Sequence, residues 1–180
     1  MPEVRYSLAN KQRDLHGFKT RINTDMNKTI NTDIGNKGNL IYSDLTYKVR
    51  GCIFTVYNEL GYGHKEQVYQ KALATEFKLQ ELSFQREANL TVKYKNSLVG
   101  NYRPDFVIND QIILEIKAVP FMAKAYEEQL LHYLKTTGFK LGLLVNFGAS
   151  RLVIRRLIWT NDQRKSVLNQ RKSVLNPCKS

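Results

Sequence analysis

The run Ile112-Ile113-Leu114-Glu115-Ile116-Lys117 limits the fold more than any other stretch of the chain. Its near-unbroken apolar character, between the turn pair Asn109-Asp110 and Pro120, reads as a strand from Ile112 to Ala118 covered on both faces, the pattern of a sheet's centre. Alternate side chains of a strand share a face and lie about 6.6 Å apart, so Glu115 and Lys117 project together while Ile116 packs oppositely. These are two exceptional positions, because charges inside a protein are costly unless paired or hydrogen-bonded.

The surrounding periodicity supplies the other elements. Ser43 can cap a helix running to about Leu60, with Leu45, Val49, Cys52, Ile53, Val56 and Leu60 on one broad face. Gly61-Tyr62-Gly63 stops it and reverses the chain. A second helix, from about Lys65 to Leu79, is expected to bury Val68, Tyr69, Ala72, Leu73 and Phe77. From Phe84 the period falls from about four to two. Leu90, Val92 and Tyr94 then alternate as a strand, Lys95-Asn96-Ser97 turns it, and a second strand is expected from Leu98 to Ile108. Residues 122 to 137 form an amphipathic helix ended by Gly138, and Leu141 to Val145 and Leu152 to Ile158 read as two further strands. Two helices, three antiparallel strands, a crossover helix and two strands make a mixed α/β sheet.

Composition bears mainly on the two ends. Residues 1 to 42 are dominated by Asn, Thr, Asp, Lys and Gly with isolated Ile and Met, the composition of a flexible arm. Residues 163 to 169, Gln-Arg-Lys-Ser-Val-Leu-Asn, recur immediately as residues 170 to 176. This local duplication reads as a frayed basic tail, or else as a short basic helix touching phosphates. Basic against acidic residues number 7 and 4 in residues 1–42, 13 and 11 in 43–150, and 8 and 1 in 151–180, so the excess of positive charge lies at the ends. A polyanion such as nucleic acid is therefore a plausible partner, through electrostatic steering. No apolar run approaches the ~20 residues needed to cross a bilayer, and Glu3 and Arg5 spoil a secretory start, so a cytoplasmic protein without a membrane partner is expected. Cys52 and Cys178 give no disulfide framework, and no CxxC pair or clustered histidine suggests zinc.

Chemistry concentrates near the central strand. A hairpin through Asn109-Asp110 would carry Asp105, from Arg103-Pro104-Asp105, alongside Glu115 and Lys117. Two converging carboxylates can hold Mg²⁺ or Mn²⁺, whose hard oxygen coordination leaves room for water and a phosphate oxygen. Lys117 could then orient the attacking water, aid its deprotonation or offset phosphate charge. The structural alternative has Asp105 capping a turn and Glu115 pairing with Lys117 on a strand face. Glu66 opens the second helix, where a carboxylate suits the helix dipole, or reaches the same metal as a third carboxylate. Gln129 and Tyr133 form an i,i+4 pair with Tyr126 on the same stripe, which is either plain amphipathicity or a face that meets substrate. A GxSxG elbow, a Walker A loop and an HExxH helix are all missing from the sequence.

Gly63-His64-Lys65-Glu66-Gln67-Val68-Tyr69 matches the pattern that names the GxxExxY protein family, and the chain resembles that branch of the PD-(D/E)xK nuclease-like superfamily over about residues 43 to 158. The likeness also runs through Tyr47-Lys48-Val49, Arg103-Pro104-Asp105, Glu115-Ile116-Lys117, Gln129-Leu130-Leu131-His132-Tyr133 and residues 138 to 147; Tyr62 stands where the loop often has Pro, and His64-Lys65 replace a commonly apolar pair. The resemblance implies an αβββαβ core whose mixed sheet is flanked by helices and carries a metal-dependent phosphodiesterase site. Glu66, Asp105 and Glu115 would be metal ligands for Mg²⁺ or Mn²⁺, Lys117 the partner of the attacking water, and Gln129 and Tyr133 a QxxxY element near the substrate. Lys65, Arg103, Arg164, Lys165, Arg171 and Lys172 are the candidate nucleic-acid contacts. The expected function is nuclease-like phosphodiester hydrolysis, with DNA favoured over RNA; the alternative is a nucleic-acid-binding protein of the same fold with weak or no catalysis. A homo-oligomer is compatible with either.

Three parts are expected: an arm over residues 1–42, a nuclease-like domain over 43–158 and a basic tail over 159–180. Because nearly all periodic apolar positions fall in the middle part, a fragment of residues 43–158 should unfold cooperatively on heating. Loss of cooperative melting when residues 1–42 alone are removed would assign the arm to the core.

Overall fold

The structure, a computed structural model, describes residues 40–160. The expected arm and basic tail lie outside the described residues, apart from positions 40–42 and 159–160. In chain order the elements are α1 (Ser43–Leu60), α2 (Glu66–Leu79), β1 (Phe84–Arg86), β2 (Leu90–Tyr94), β3 (Ser97–Tyr102), β4 (Phe106–Ile108), β5 (Ile112–Lys117), α3 (Lys124–Thr137), β6 (Leu141–Asn146) and β7 (Val153–Ile158). The sheet and its flanking helices, from Lys48 of α1 onward, belong to one compact unit.

Strand β5 is the middle of a five-stranded sheet ordered β1-β4-β5-β6-β7. It pairs antiparallel with β4 and parallel with β6, and Ile112, Ile113, Leu114 and Ile116 are fully buried, as an apolar strand with neighbours on both sides requires. The parallel step is made by α3, which Gly138 ends in the left-handed region at φ +88°, its N–H donating to the Leu134 carbonyl at 3.1 Å. Asn109 and Asp110 sit at φ +49° and +52° and turn β4 into β5, conformations that Asn and Asp tolerate better than most residues.

The two faces of β5 meet different helices. Ile113 clusters with Leu130 and Leu134 of α3, Leu144 of β6 and Tyr102 of β3. Phe106, opposite Leu114 and hence on the other face, meets Phe77 of α2 edge-on at 5.4 Å, with Phe84 5.7 Å away. Tyr69 of α2 stacks on Phe147, just past β6, at 4.4 Å. The sheet is therefore flanked by helices on both faces, a mixed α/β fold with the expected core topology.

Three local expectations need correction. The single strand from Leu98 to Ile108 is two strands, broken at Arg103-Pro104-Asp105, where Pro104 offers no N–H to a ladder. Strand β3 consequently leaves the main sheet and forms a separate two-stranded sheet with β2, while Phe84–Arg86, not expected as a strand, pairs with β4 instead. The inward stripe of α2 is also rotated. Val68 is 40% exposed while Tyr69, Leu73, Ala74 and Phe77 are buried, because the aromatic contacts of Tyr69 and Phe77 set the helix's orientation. That rotation turns the Glu66 and Gln70 positions toward the sheet.

At the end of β6 the fully buried Asn146 joins two segments. Its Oδ1 accepts from Val119 N–H and Gly148 N–H, both at 3.0 Å, and its amide donates to the Val119 carbonyl at 2.8 Å. Gly148 permits this close approach: a Cβ there would stand 2.3 Å from the Val119 nitrogen. Gly148→Ala should therefore destabilise the fold by about 2 kcal/mol, measured by urea unfolding. A change under about 0.5 kcal/mol would show that the segment after β5 yields freely.

Candidate active site

Pro104 parts β3 from β4 beside the C-terminal end of β5, and the candidate residues gather at that opening. Asp105 follows the proline and stands next in register to the Phe106–Leu114 pair, which places it beside Glu115. Its Oδ2 accepts the Ile116 N–H at 2.6 Å, and its Oδ1 accepts the Gln70 side-chain amide at 2.8 Å. Glu66, one helical turn before Gln70, is linked to the same amide at 3.5 Å. The helix that presents them begins after Lys65, with Gly63 in the loop before it at φ +97°. Tyr69 fastens that loop, donating to the Gly61 carbonyl at 2.9 Å and accepting the His64 N–H at 3.2 Å. In the Gly63…Glu66…Tyr69 pattern, Gly63 thus turns the chain, Glu66 faces the site and Tyr69 anchors the loop.

Glu115 and Lys117 share the α3 side of β5, as strand alternation requires. Their side chains are 14% and 20% exposed, and the Lys117 ammonium lies 3.5 Å from Glu115 Oε2. The Tyr102 hydroxyl donates to Glu115 Oε1. Tyr102 in turn stacks on Tyr133 with ring centroids 3.3 Å apart, and the Tyr133 hydroxyl accepts the Gln129 amide at 2.9 Å. The Lys117 ammonium also sits 5.5 Å from the Tyr126 ring centre. Of the α3 stripe, Tyr126 therefore meets Lys117, Tyr133 reaches Glu115 through Tyr102, and Gln129 is joined to them through Tyr133. Lys65 and Arg103 are exposed at the margins. Arg164, Lys165, Arg171 and Lys172 lie outside the described residues.

The electrostatics bind these groups into one cluster. Burial raises the pKa of Glu66, Asp105 and Glu115, and the charge of Asp105 raises both glutamates further. Lys117 pulls all three back toward ionisation. Glu115 is pushed up to about 7 by burial and then by Asp105, against the opposing effects of the Tyr102 hydroxyl and Lys117. Burial and the neighbouring carboxylates likewise raise the Tyr102 phenol, which stays protonated and available as a donor. Cys52, by contrast, is a buried core thiol pushed up to about 12, unsuited to nucleophilic work.

In kind, the donor set fits a hard divalent cation: three carboxylates whose crowding favours protonation would be relieved by positive charge. Among the described residues, however, no group of three or more His, Cys, Asp or Glu side chains could hold a metal ion as placed. Asp105 and Glu115 instead receive hydrogen bonds from Gln70, Ile116, Tyr102 and Lys117.

Residues 43–157 match the family model of the PD-(D/E)XK nuclease superfamily. The chain belongs to that superfamily. No curated protein matches it significantly. Solved structures similar to this superfamily member include the following two. The first, titled crystal structure of SSO0001, shares 15% identity at a TM-score of 0.43, covering 64% of this chain and 61% of its own. The other is an alkaline exonuclease, LHK-Exo, from Laribacter hongkongensis, at 12% identity and a TM-score of 0.42, covering 79% of this chain and 81% of its own. The chain thus spans less than two thirds of the first of these proteins. No helix among the described residues is long and apolar enough to cross a membrane.

Gln70 and Tyr102 are the site residues that sequence reasoning missed. Gln70 had a usable signal, since it follows Glu66 by one turn on the same helix face. Tyr102 had none, because its contact with Glu115 depends on β3 folding away from the main sheet.

The carboxylate shifts make a signed prediction. A carboxyl raised in the fold contributes stability that is complete below its unfolded value, here 4.5, and is lost as pH rises through its folded value of about 7. Urea unfolding of the metal-free protein should therefore show stability falling between about pH 5 and pH 8, by up to about 3 kcal/mol from Glu115. Glu115→Gln should flatten the decline. A wild-type profile that rises over that interval would contradict the site's electrostatics.

Proposed function

We propose that this member of the PD-(D/E)XK superfamily, of the GxxExxY branch, is a metal-dependent nuclease-like phosphodiesterase acting on DNA. The observation that supports this reading best is that Lys117 acts electrostatically on three carboxyls from separate segments, Glu66, Asp105 and Glu115. Glu66, Asp105 and Glu115 would hold Mg²⁺ or Mn²⁺, which when bound supplies Lewis-acid polarisation of a phosphate oxygen and a more acidic water. Lys117 offsets negative charge and orients the attacking water, and its pairing with Glu115 keeps the ammonium at the site between turnovers. Gln70 and the Ile116 N–H hold the Asp105 carboxylate; Tyr102 holds that of Glu115. Gln129 and Tyr133 offer an amide and a phenol to the phosphate or sugar at the exposed side of α3.

A second reading, a nucleic-acid-binding protein with weak or no cleavage, draws support from the engagement of the Asp105 and Glu115 oxygens by protein donors. The two separate in one experiment. Purified protein is incubated with linear and circular DNA and with RNA, with and without Mg²⁺ or Mn²⁺, while Mn²⁺ binding is followed by calorimetry.

The nuclease reading expects cleavage only with the cation. Asp105→Ala and Glu115→Ala should each lower it by at least about 100-fold, beyond the roughly 10–100-fold typical of outer-shell partners, and weaken Mn²⁺ binding as well. Lys117→Ala should lose cleavage while keeping more of the Mn²⁺ affinity. Metal binding without cleavage of any substrate would favour the second reading, and failure to bind either cation with DNA present would overturn the shared site.

A further inference from the structure

The hairpin of β2 and β3 stands apart from the main sheet, and the chemistry of the site leaves most of it unused. All residues from 93 to 101 are exposed, among them Tyr94 at 62%, Leu98 at 60% and Val99 at 58%. Apolar side chains so placed on an isolated two-stranded ribbon contribute nothing to a core. The charges have one sign: residues 90–103 contain Lys93, Lys95 and Arg103 and no Asp or Glu. Lys95 lies 5.5 Å from the centre of the Tyr94 ring, which groups a cation with an aromatic face near the tip. The turn is tight, with Lys95 and Asn96 at φ +45° and +68°, and the ladder shifts register between Val92 and Lys93.

The base of the hairpin is part of the site. Leu90 pairs with Tyr102, Leu90 packs on the cluster under α3, and the Tyr102 hydroxyl reaches Glu115. From that pair to the turn, five residues at about 3.3 Å each give an arm about 16 Å long, roughly five base-pair steps of duplex.

We propose that the β2–β3 hairpin is a DNA-gripping arm that enters a groove of the duplex leading to the candidate site: Lys93 and Lys95 contact phosphates, while Tyr94 on one face of the ribbon and Leu98, which pairs with Lys93 on the other, lie against bases or sugars. The inference rests on the nuclease-like reading and adds the surface that holds the substrate. Charge complementarity with a polyanion selects the occupant, and a two-stranded ribbon has the width that a DNA groove admits.

The test is fluorescence anisotropy of the full chain with a labelled duplex of about 30 base pairs, in EDTA, across about 50 to 200 mM salt, beside cleavage of the same duplex with Mn²⁺. Lys93→Gln/Lys95→Gln, which keeps Tyr94, Leu98 and Val99, should flatten the slope of log K against log salt by about 1.8. Tyr94→Ser/Leu98→Ser should weaken binding about tenfold with the slope kept. Wild-type binding whose affinity and slope neither double variant changes would overturn the arm and leave the nuclease-like reading standing. A dimer seen by sedimentation that Tyr94→Ser/Leu98→Ser dissociates, with DNA binding intact, would assign the ribbon to a second copy and also overturn it. A wild-type protein that neither binds nor cleaves DNA would remove the nuclease-like reading and the arm together.

Discussion

The bond from the Ile116 N–H to Asp105 Oδ2, 2.6 Å long, is made where the β4–β5 ladder runs out. Past that point Pro104 has no N–H to give and the chain turns away into β3. A side-chain carboxylate thus takes a backbone donor at the end of the β4–β5 ladder, and one residue serves both the ladder and the candidate site. Buried backbone donors are expensive to leave without a partner, so this contact resists loss for structural reasons alone. Gln70 occupies the other oxygen of Asp105 and brings the start of α2 to the same place. Had Asp105 pointed elsewhere, the opening between strands and the approach of Glu66 would have no common centre.

Around that centre the molecule carries an electrostatic conflict. Three carboxylates are drawn into partly buried positions where each would be neutral more readily than in water, and Lys117 opposes that tendency for all of them. The tyrosines on the α3 side moderate it further: Tyr102 donates to Glu115, and the Tyr126 ring lies beneath the Lys117 ammonium. A protein selected for stability alone would do better with apolar residues at these positions, since buried ion pairs seldom repay their desolvation. The cluster therefore carries a desolvation cost that packing alone does not explain.

The positions that carry the site were legible in the sequence because strands and helices have fixed periods. Glu115 and Lys117, two apart in a strand, had to share a face, and Asn109-Asp110 had to reverse the chain in front of them. The C-terminal ends of α1 and α3 followed equally from periodicity and from Gly61 and Gly138, residues suited to ending a helix, while α3 starts at Lys124 rather than at residue 122. The Gly63…Glu66…Tyr69 pattern resembled a known family, yet the distinct duty of Tyr69, fastening the loop while stacking on Phe147, involves a partner 78 positions further on (147 − 69).

The sequence by itself determined which local segments alternate, which turn, and which two charges interrupt the apolar centre of a sheet, because each depends on interactions spanning a few residues. Tertiary structure decided the rest. The strand expected from Leu98 to Ile108 splits at Pro104, which has no N–H for a ladder, and with β1 rather than β2 paired to β4 the hairpin is free to bring Tyr102 to Glu115. The same holds for the rotation of α2, where a helical stripe broad enough to include Val68 was narrowed by the stacking of Tyr69 and the aromatic contacts of Phe77. Local period sets which side chains share a face; the packing of remote aromatics and the supply of backbone donors set where that face is aimed.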